Sequence, residues 1–483
     1  MTHRPMLIAD AWTDADDGDL IEVRDPATDE VVATAPRAGA AEARRAIDAA
    51  RDALPEWSAR PAIERARRLD ALARIMRRDL EELAALMTAE QGKPLHEARG
   101  ELDYAISFIE WAAGEGPRLD GDVIQASARG LRLFAIRQPV GVCGIITPWN
   151  FPSAMITRKL GPALAAGCTV VIKPAELTPL SALAIGERCR EAEIPPGVVN
   201  VVTGDSKAIG GALFEHEAVR KVSFTGSTAV GSKLIEQSAE RVVNLSLELG
   251  GHAPLIVFDD ADLDRAVDHA AKAKFRNGGQ TCIAPNRFYV QAGIYDRFRE
   301  RFVERVRSMK VGRGTEEGVD IGPMIDDRAI EKIERHLADA TDKGATILCG
   351  GERVRPGEEL ADRFFAPTVL DGFTHEMDLS HEETFGPVAP LARFESEDEA
   401  VRLANDSEYG LAAYFFSESA SRLTRVAERL EYGVVGANNG LPSTAQAPFG
   451  GFKRSGLGRE GGRYVMDEYT ETKYVSLGIE PDA

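Results

Sequence analysis

The chain reads as an α/β protein with two domains on parallel-rich sheets and one small extra β element. Three observations carry this reading. At 483 residues, 44% of them hydrophobic, the chain is long enough to bury more than one core. From Val142 onward, short apolar runs at 142–147, 168–172, 197–203, 221–225 and 253–258 alternate with helical segments, as parallel strands covered on both faces do. A second alternating region runs from about 253 to 435 and includes strand-like 287–291 and 432–436.

The other elements fall into place around these sheets. Residues 41–54 and 62–90 carry apolar positions at helical spacing, among them Leu69, Leu72, Ile75, Met76, Leu80, Leu83 and Leu86, and Gly92 suits a helix end. Such stripes are core faces and carry no chemistry. Segments near 123–140 and 468–478 read as strands outside both sheets. There is no internal repeat, low-complexity tract or long linker.

Composition excludes several classes of function. A net charge of −19 opposes nucleic-acid binding, which needs a basic surface to displace counterions. Five widely spaced cysteines without a Cys-x-x-Cys pair suggest neither a disulfide framework nor a zinc site, and they fit a reducing cytoplasm. The first residues lack an apolar signal core, and the longest apolar run, 163–172, is about half a membrane span. The histidines form no metal-binding cluster.

One cysteine stands apart. Asn277-Gly278-Gly279-Gln280-Thr281-Cys282 puts a thiol on a polar, glycine-bearing turn after a helical segment. Cys143, Cys168, Cys189 and Cys349 read instead as small buried hydrophobes. Glu248, 34 residues before Cys282, lies in Leu247-Glu248-Leu249-Gly250-Gly251. A thiolate can add to a carbonyl and leave as a thioester, while a carboxylate takes protons from the thiol and from water. Two glycine motifs are decoys. Gly456-Leu457-Gly458-Arg459-Glu460-Gly461 matches the dinucleotide fingerprint, yet no apolar strand precedes it and too little chain follows it. Gly226-Ser227-Thr228-Ala229-Val230-Gly231-Ser232-Lys233 has serine where a P-loop needs lysine. What remains is a strand, 221–225, entering a glycine-serine turn and a helix whose amides suit a pyrophosphate.

These residues, in this order, resemble the aldehyde dehydrogenase superfamily, and the likeness runs from about 18 to 476. It implies an aldehyde dehydrogenase-like fold, with a discontinuous NAD-binding domain over 1–122 and 141–250 and a catalytic domain over 251–447. A bridging and oligomerisation element takes 123–140 and 465–483. The resemblance makes Cys282 the nucleophile, Glu248 the base, and Asn150 of Thr147-Pro148-Trp149-Asn150-Phe151-Pro152 an oxyanion donor beside the Cys282 amide. Trp149, Lys173, Glu176, Gly226, Ser227, Gly231, Glu383 and Phe385 are then the cofactor residues. Glu176 at the adenosine ribose would accept from its hydroxyls and repel a 2′-phosphate, favouring NAD over NADP. No metal is implied. A homodimer or homotetramer is.

Within the superfamily the chain is most similar to succinate-semialdehyde dehydrogenases, notably over 151–169. That likeness assigns the distal carboxylate of the substrate to Arg158, Arg276 and Ser443, since paired guanidinium forks match its oxygens. Glutarate semialdehyde and hydroxyaldehydes stay open as substrates. A thiol hydrolase would use Cys282, Glu248 and Asn150 alone, with no need of Lys173, Glu176, Ser227 or Glu383.

Overall fold

The computed structural model describes residues 2–479. Helices Ala40–Ala59, Ala62–Arg78 and Leu80–Gln91 replace the two that the periodicity predicts. The break falls at Asp79, which is ion-paired with Arg78 and Arg188. Gly92 closes the last of these helices in the left-handed region, φ 91°, which glycine enters without strain. Helix α1, Leu95–Glu115, was not foreseen.

Five parallel strands form the centre of the first sheet: β1 (Val142–Ile146), β2 (Thr169–Lys173), β3 (Val199–Val201), β4 (Val219–Thr225) and β5 (Asn244–Glu248). Their spatial order is β5-β4-β1-β2-β3. Chain direction across the sheet therefore reverses between β1 and β4, and the carboxyl ends of those strands flank a crevice of the kind that binds nucleotides. Short antiparallel strands extend both edges, Gly456–Leu457 against β5 and Met6–Ile8 against β3. Helix α2 (Ala154–Ala166) follows β1, and α3 (Thr228–Ser238) follows β4.

The second sheet contains β6 (Ala253–Val257), β7 (Pro285–Gln291), β8 (Thr368–Asp371), β9 (Val388–Phe394), β10 (Ala412–Phe416) and β11 (Val434–Ala437). They run parallel in the order β8-β9-β7-β6-β10-β11, with Thr346–Cys349 antiparallel at the β8 edge. Helix α4, Leu263–Phe275, joins β6 to the cysteine loop.

Strands Asp122–Ile124, Leu131–Pro139 and Thr470–Gly478 form a separate antiparallel sheet. The segment assigned to it from 465 begins as a helical turn, Val465–Glu468, and its end, 480–483, lies outside the described residues. Val123 and Tyr474 on this sheet are 94% and 60% exposed. Cys143, Cys168 and Cys189 are buried as expected, but Cys349 is only half-buried because it sits on an edge strand. Among the described residues no helix is long and apolar enough to cross a membrane.

Candidate active site

Where α4 ends, the backbone passes through three left-handed residues, Asn277 (φ 52°), Gly278 (φ 62°) and Gly279 (φ 77°). Asparagine and glycine tolerate this region best. A Cβ on Gly279 would lie 2.2 Å from the Gly386 carbonyl oxygen, so only glycine lets the loop rest on the 382–387 segment. The loop is tied down on several sides. The Asn277 amide donates to the Glu97 carboxylate at 2.8 Å, Gln280 Oε1 accepts from the Ile325 amide at 3.0 Å, and the Tyr414 hydroxyl donates to the Ile283 carbonyl at 2.8 Å. Cys282 is half-buried by surface area. Burial pushes its thiol up to about 12, and the Glu383 carboxylate adds to the shift. At rest the group is a thiol, and it needs a base.

Glu248 ends β5, a strand missed in the sequence although Asn244-Leu245-Ser246-Leu247 alternates polar and apolar. Its side chain is buried and its Oε2 has no hydrogen-bond partner. Burial, then the Glu460 carboxylate, holds Glu248 well above the ordinary carboxylate range, while Arg158, Lys159 and Arg459 pull it down. Behind it, buried Lys159 donates to Thr225 Oγ1 at 2.5 Å and to the Glu460 carboxylate.

Asn150 lies in the loop after β1. Its Nδ2 donates to the Gln280 carbonyl at 3.0 Å, tying it to the cysteine loop, and its Oδ1 has no partner. A primary amide has two N–H donors, so one remains for a substrate oxygen. The Asn150 carbonyl accepts from Lys93 Nζ at 2.8 Å, and Lys93 also donates to the Glu101 carboxylate at 2.5 Å. Glu101 accepts in turn from the Ser153 and Ala154 amides at the start of α2. Lys93, Glu97 and Glu101 were not predicted. The available signal was the four-residue spacing of the two glutamates on a helix otherwise rich in apolar residues.

The crevice gathers most of the proposed cofactor residues. Buried Lys173 donates to Ser206 Oγ at 2.5 Å, and Ser206 donates to Glu176 at 3.0 Å. Burial lowers the Lys173 amine to about 8. Arg37 stands 3.7 Å from Glu176. Gly226 turns between β4 and α3, where a Cβ would strike the Phe224 ring at 2.4 Å, and Ser227 caps α3. Gly231 is different: its amide already donates to the Ser227 carbonyl at 3.0 Å, and a Cβ there would meet Leu249. Its lack of a side chain lets α3 approach the chain just after β5. Across the crevice, Glu383 Oε1 accepts from the Gly251 amide at 3.4 Å, and the Phe385 ring meets Trp149 edge-on at 5.6 Å. An amine, two carboxylates, a helix N-terminus and an aromatic pair fit a dinucleotide.

The three carboxylate-binding candidates divide. Arg276 and Ser443 line one 540 Å³ cavity together with Tyr104, Phe151 and Leu441. The Arg276 guanidinium lies 5.1 Å from the Phe151 ring centre. Arg158 is behind the wall, 1% exposed, which rules out a surface ion pair. Its Nε is 2.6 Å from Glu460 Oε2 without aligned hydrogen-bond geometry, and its Nη2 has no partner. Phe449 and Phe108 cover it at 4.1 and 5.2 Å.

Comparison with known proteins agrees with this geometry. The model of the Aldehyde dehydrogenase family matches residues 12–475. Succinate-semialdehyde dehydrogenase [NADP(+)] of Escherichia coli strain K12 is 53% identical, over 98% of this chain and 97% of that protein. Glutarate-semialdehyde dehydrogenase of Pseudomonas putida is 52% identical, over 97% and 96%. The crystal structure of succinate-semialdehyde dehydrogenase from Burkholderia pseudomallei superposes with a TM-score of 0.97 at 52% identity, covering 99% of this chain and 98% of that one. The chain belongs to the aldehyde dehydrogenase family and is an NAD(P)-dependent enzyme that oxidises aldehydes.

Proposed function

We propose that this enzyme oxidises a short aldehyde with a distal carboxylate, succinate semialdehyde foremost and glutarate semialdehyde next, through a thioester on Cys282. One observation carries the reading: the Cys282 thiol is within electrostatic reach of the unpartnered Glu248 carboxylate and of the Arg158 and Arg276 guanidiniums, and Arg276 lines a cavity together with Ser443. Glu248 takes the Cys282 proton as sulfur adds to the carbonyl carbon. The resulting oxyanion accepts from the free Asn150 N–H and the Cys282 amide. Bound NAD supplies the hydride acceptor. Once Glu248 has released that proton to solvent, it removes a proton from water, whose oxygen displaces the sulfur of Cys282 as thiolate from the thioester and frees the carboxylic acid.

Arg276, Ser443 and the open Nη2 of Arg158 hold the distal carboxylate. Trp149, Lys173, Glu176, Gly226, Ser227, Glu383 and Phe385 hold the cofactor. NAD is preferred over NADP because the Glu176 carboxylate faces the ribose, although the Escherichia coli relative is named for NADP(+). A cofactor-free thiol hydrolase would leave the crevice without a purpose. The exposed apolar side chains of the three-stranded sheet suit a second copy, giving a homodimer or homotetramer, and the free cysteines suit the cytoplasm.

Absorbance at 340 nm tests this directly. Succinate and glutarate semialdehydes should outpace butanal, NAD should outpace NADP, and Cys282→Ala should abolish turnover while still binding NAD. Full activity in Cys282→Ala, or butanal as the best substrate, would overturn the reading.

A further inference from the structure

We propose that Tyr104 is a specificity-determining positioning residue, whose phenol holds the Ser443 hydroxyl so that its hydrogen faces the anionic tail of the substrate. The proposal rests on the reading of Ser443 as a contact of that tail. Ser443 lies in an irregular segment between β11 and the C-terminal elements, with no regular backbone to fix its side chain. Tyr104 comes from the opposite side, on the rigid helix α1, and the two hydroxyls share a hydrogen bond. Both residues line the cavity that holds Arg276. The Tyr104 ring packs edge-on against Phe108 at 4.7 Å, and Phe108 is one of the two rings covering Arg158. Tyr104 thus links the Ser443 hydroxyl to the bed of the buried arginine.

The direction of the bond follows from acidity. A phenol, with a pKa of about 10, is a stronger donor than an alkyl hydroxyl, so Tyr104 donates and Ser443 accepts. The single Ser443 hydrogen is then left for another acceptor. A hydroxyl that accepts one bond is polarised to donate the next more strongly, and a carboxylate gains most from such a donor. An aldehyde with an uncharged tail gains little. Discrimination between the two therefore depends on a residue that acts through the Ser443 hydroxyl.

Tyr104→Phe removes the hydroxyl and keeps the ring packing. We expect KM for succinate semialdehyde to rise about fivefold to tenfold with kcat within about twofold of the parent, the size of one lost hydrogen bond. With butanal, kcat/KM should stay level. Ser443→Ala should show the same pattern to an equal or greater degree, and the double variant should match Ser443→Ala alone, because Tyr104 acts through that hydroxyl. Equal losses on both aldehydes, or effects that multiply in the double variant, would overturn the proposal. If Ser443→Ala is impaired on the semialdehyde and Tyr104→Phe is not, only the role of Tyr104 fails. If Ser443→Ala is itself unimpaired, the carboxylate site fails and this proposal with it.

Discussion

The two ends of the proposed substrate site are built differently. At the reacting end, polar atoms are buried without partners: Asn150 Oδ1 and Glu248 Oε2 have none, and burial keeps the Cys282 thiol protonated. At the distal end the groups are already engaged, Ser443 by Tyr104, Arg276 by the Phe151 ring, and Arg158 by Glu460 and two aromatic faces. Arg158 Nε and Nη2 lack hydrogen-bond partners there. Unmet polar groups cost stability, and at Glu248 that cost falls on an oxygen that must accept protons as the reaction proceeds. Recognition tolerates no such looseness, since ordering a side chain on binding weakens affinity.

The sharpest way to break this comparison is to change the base. Glu248→Gln keeps the shape and removes proton acceptance, so thioester hydrolysis should slow by about 10²- to 10⁴-fold. A burst of one equivalent of reduced cofactor should precede a slow steady state. In the parent, hydrolysis should rise with pH through a value above the ordinary carboxylate range, because only ionised Glu248 accepts a proton and its pKa is raised. The variant should lack that limb. Unchanged turnover without acyl-enzyme would remove Glu248 from the reacting end.

Smaller effects should separate the two arginines. Arg276→Ala loses a charge-assisted contact of about 1.5–3 kcal/mol, a tenfold to hundredfold loss in kcat/KM for succinate semialdehyde, with butanal nearly unaffected. Arg158→Ala should cost the same contact and more. Arg158 holds the Glu248 pKa down, so its loss should also move the hydrolysis limb to higher pH with either aldehyde. Identical pH profiles in the two variants would show that the buried arginine is not coupled to the reacting end.

The sequence was legible where chemistry leaves a local mark. The cysteine turn, the parallel strands near 142–258 and the separate strands near 131–139 and 470–478 all announce themselves through glycine, polarity or apolar runs. What stayed hidden was contact at a distance. Glu97 and Glu101 of α1, with Lys93 just before it, brace Asn150 and the cysteine loop, and Glu460, inside a segment set aside as a false nucleotide motif, is the carboxylate that pairs with Lys159 and Arg158. Arg158 shows the limit: its residue type was informative, but its burial behind the cavity wall depends on Phe108 and Phe449, which are distant in the chain.

The smallest effect concerns Glu383, proposed above as a cofactor residue. Burial pushes its carboxyl up to about 7, against the pull of Lys332, the Gly251 amide and Lys274. A neutral acid accepts poorly from ribose hydroxyls, so NAD should bind better as pH rises through 7. With one such group, affinity between pH 6 and 8 should change by about tenfold. In the upper half of that window the Lys173 amine, lowered to about 8, is already losing its charge and opposes the gain. The linkage for the cofactor-free enzyme has the opposite sign. A carboxyl whose folded pKa exceeds its unfolded value binds its proton more tightly in the fold, so its contribution to stability is present at low pH and is lost as pH rises toward 7. Glu383→Gln should flatten both trends, weakening NAD binding at pH 8 while removing part of the fall in Tm between pH 5 and 7. Calorimetric titration of NAD at pH 6, 7 and 8 in parent and variant measures the first, and thermal melts measure the second. An NAD affinity independent of pH in the parent would mean that Glu383 is ionised throughout and does not share the raised carboxyl of Glu248.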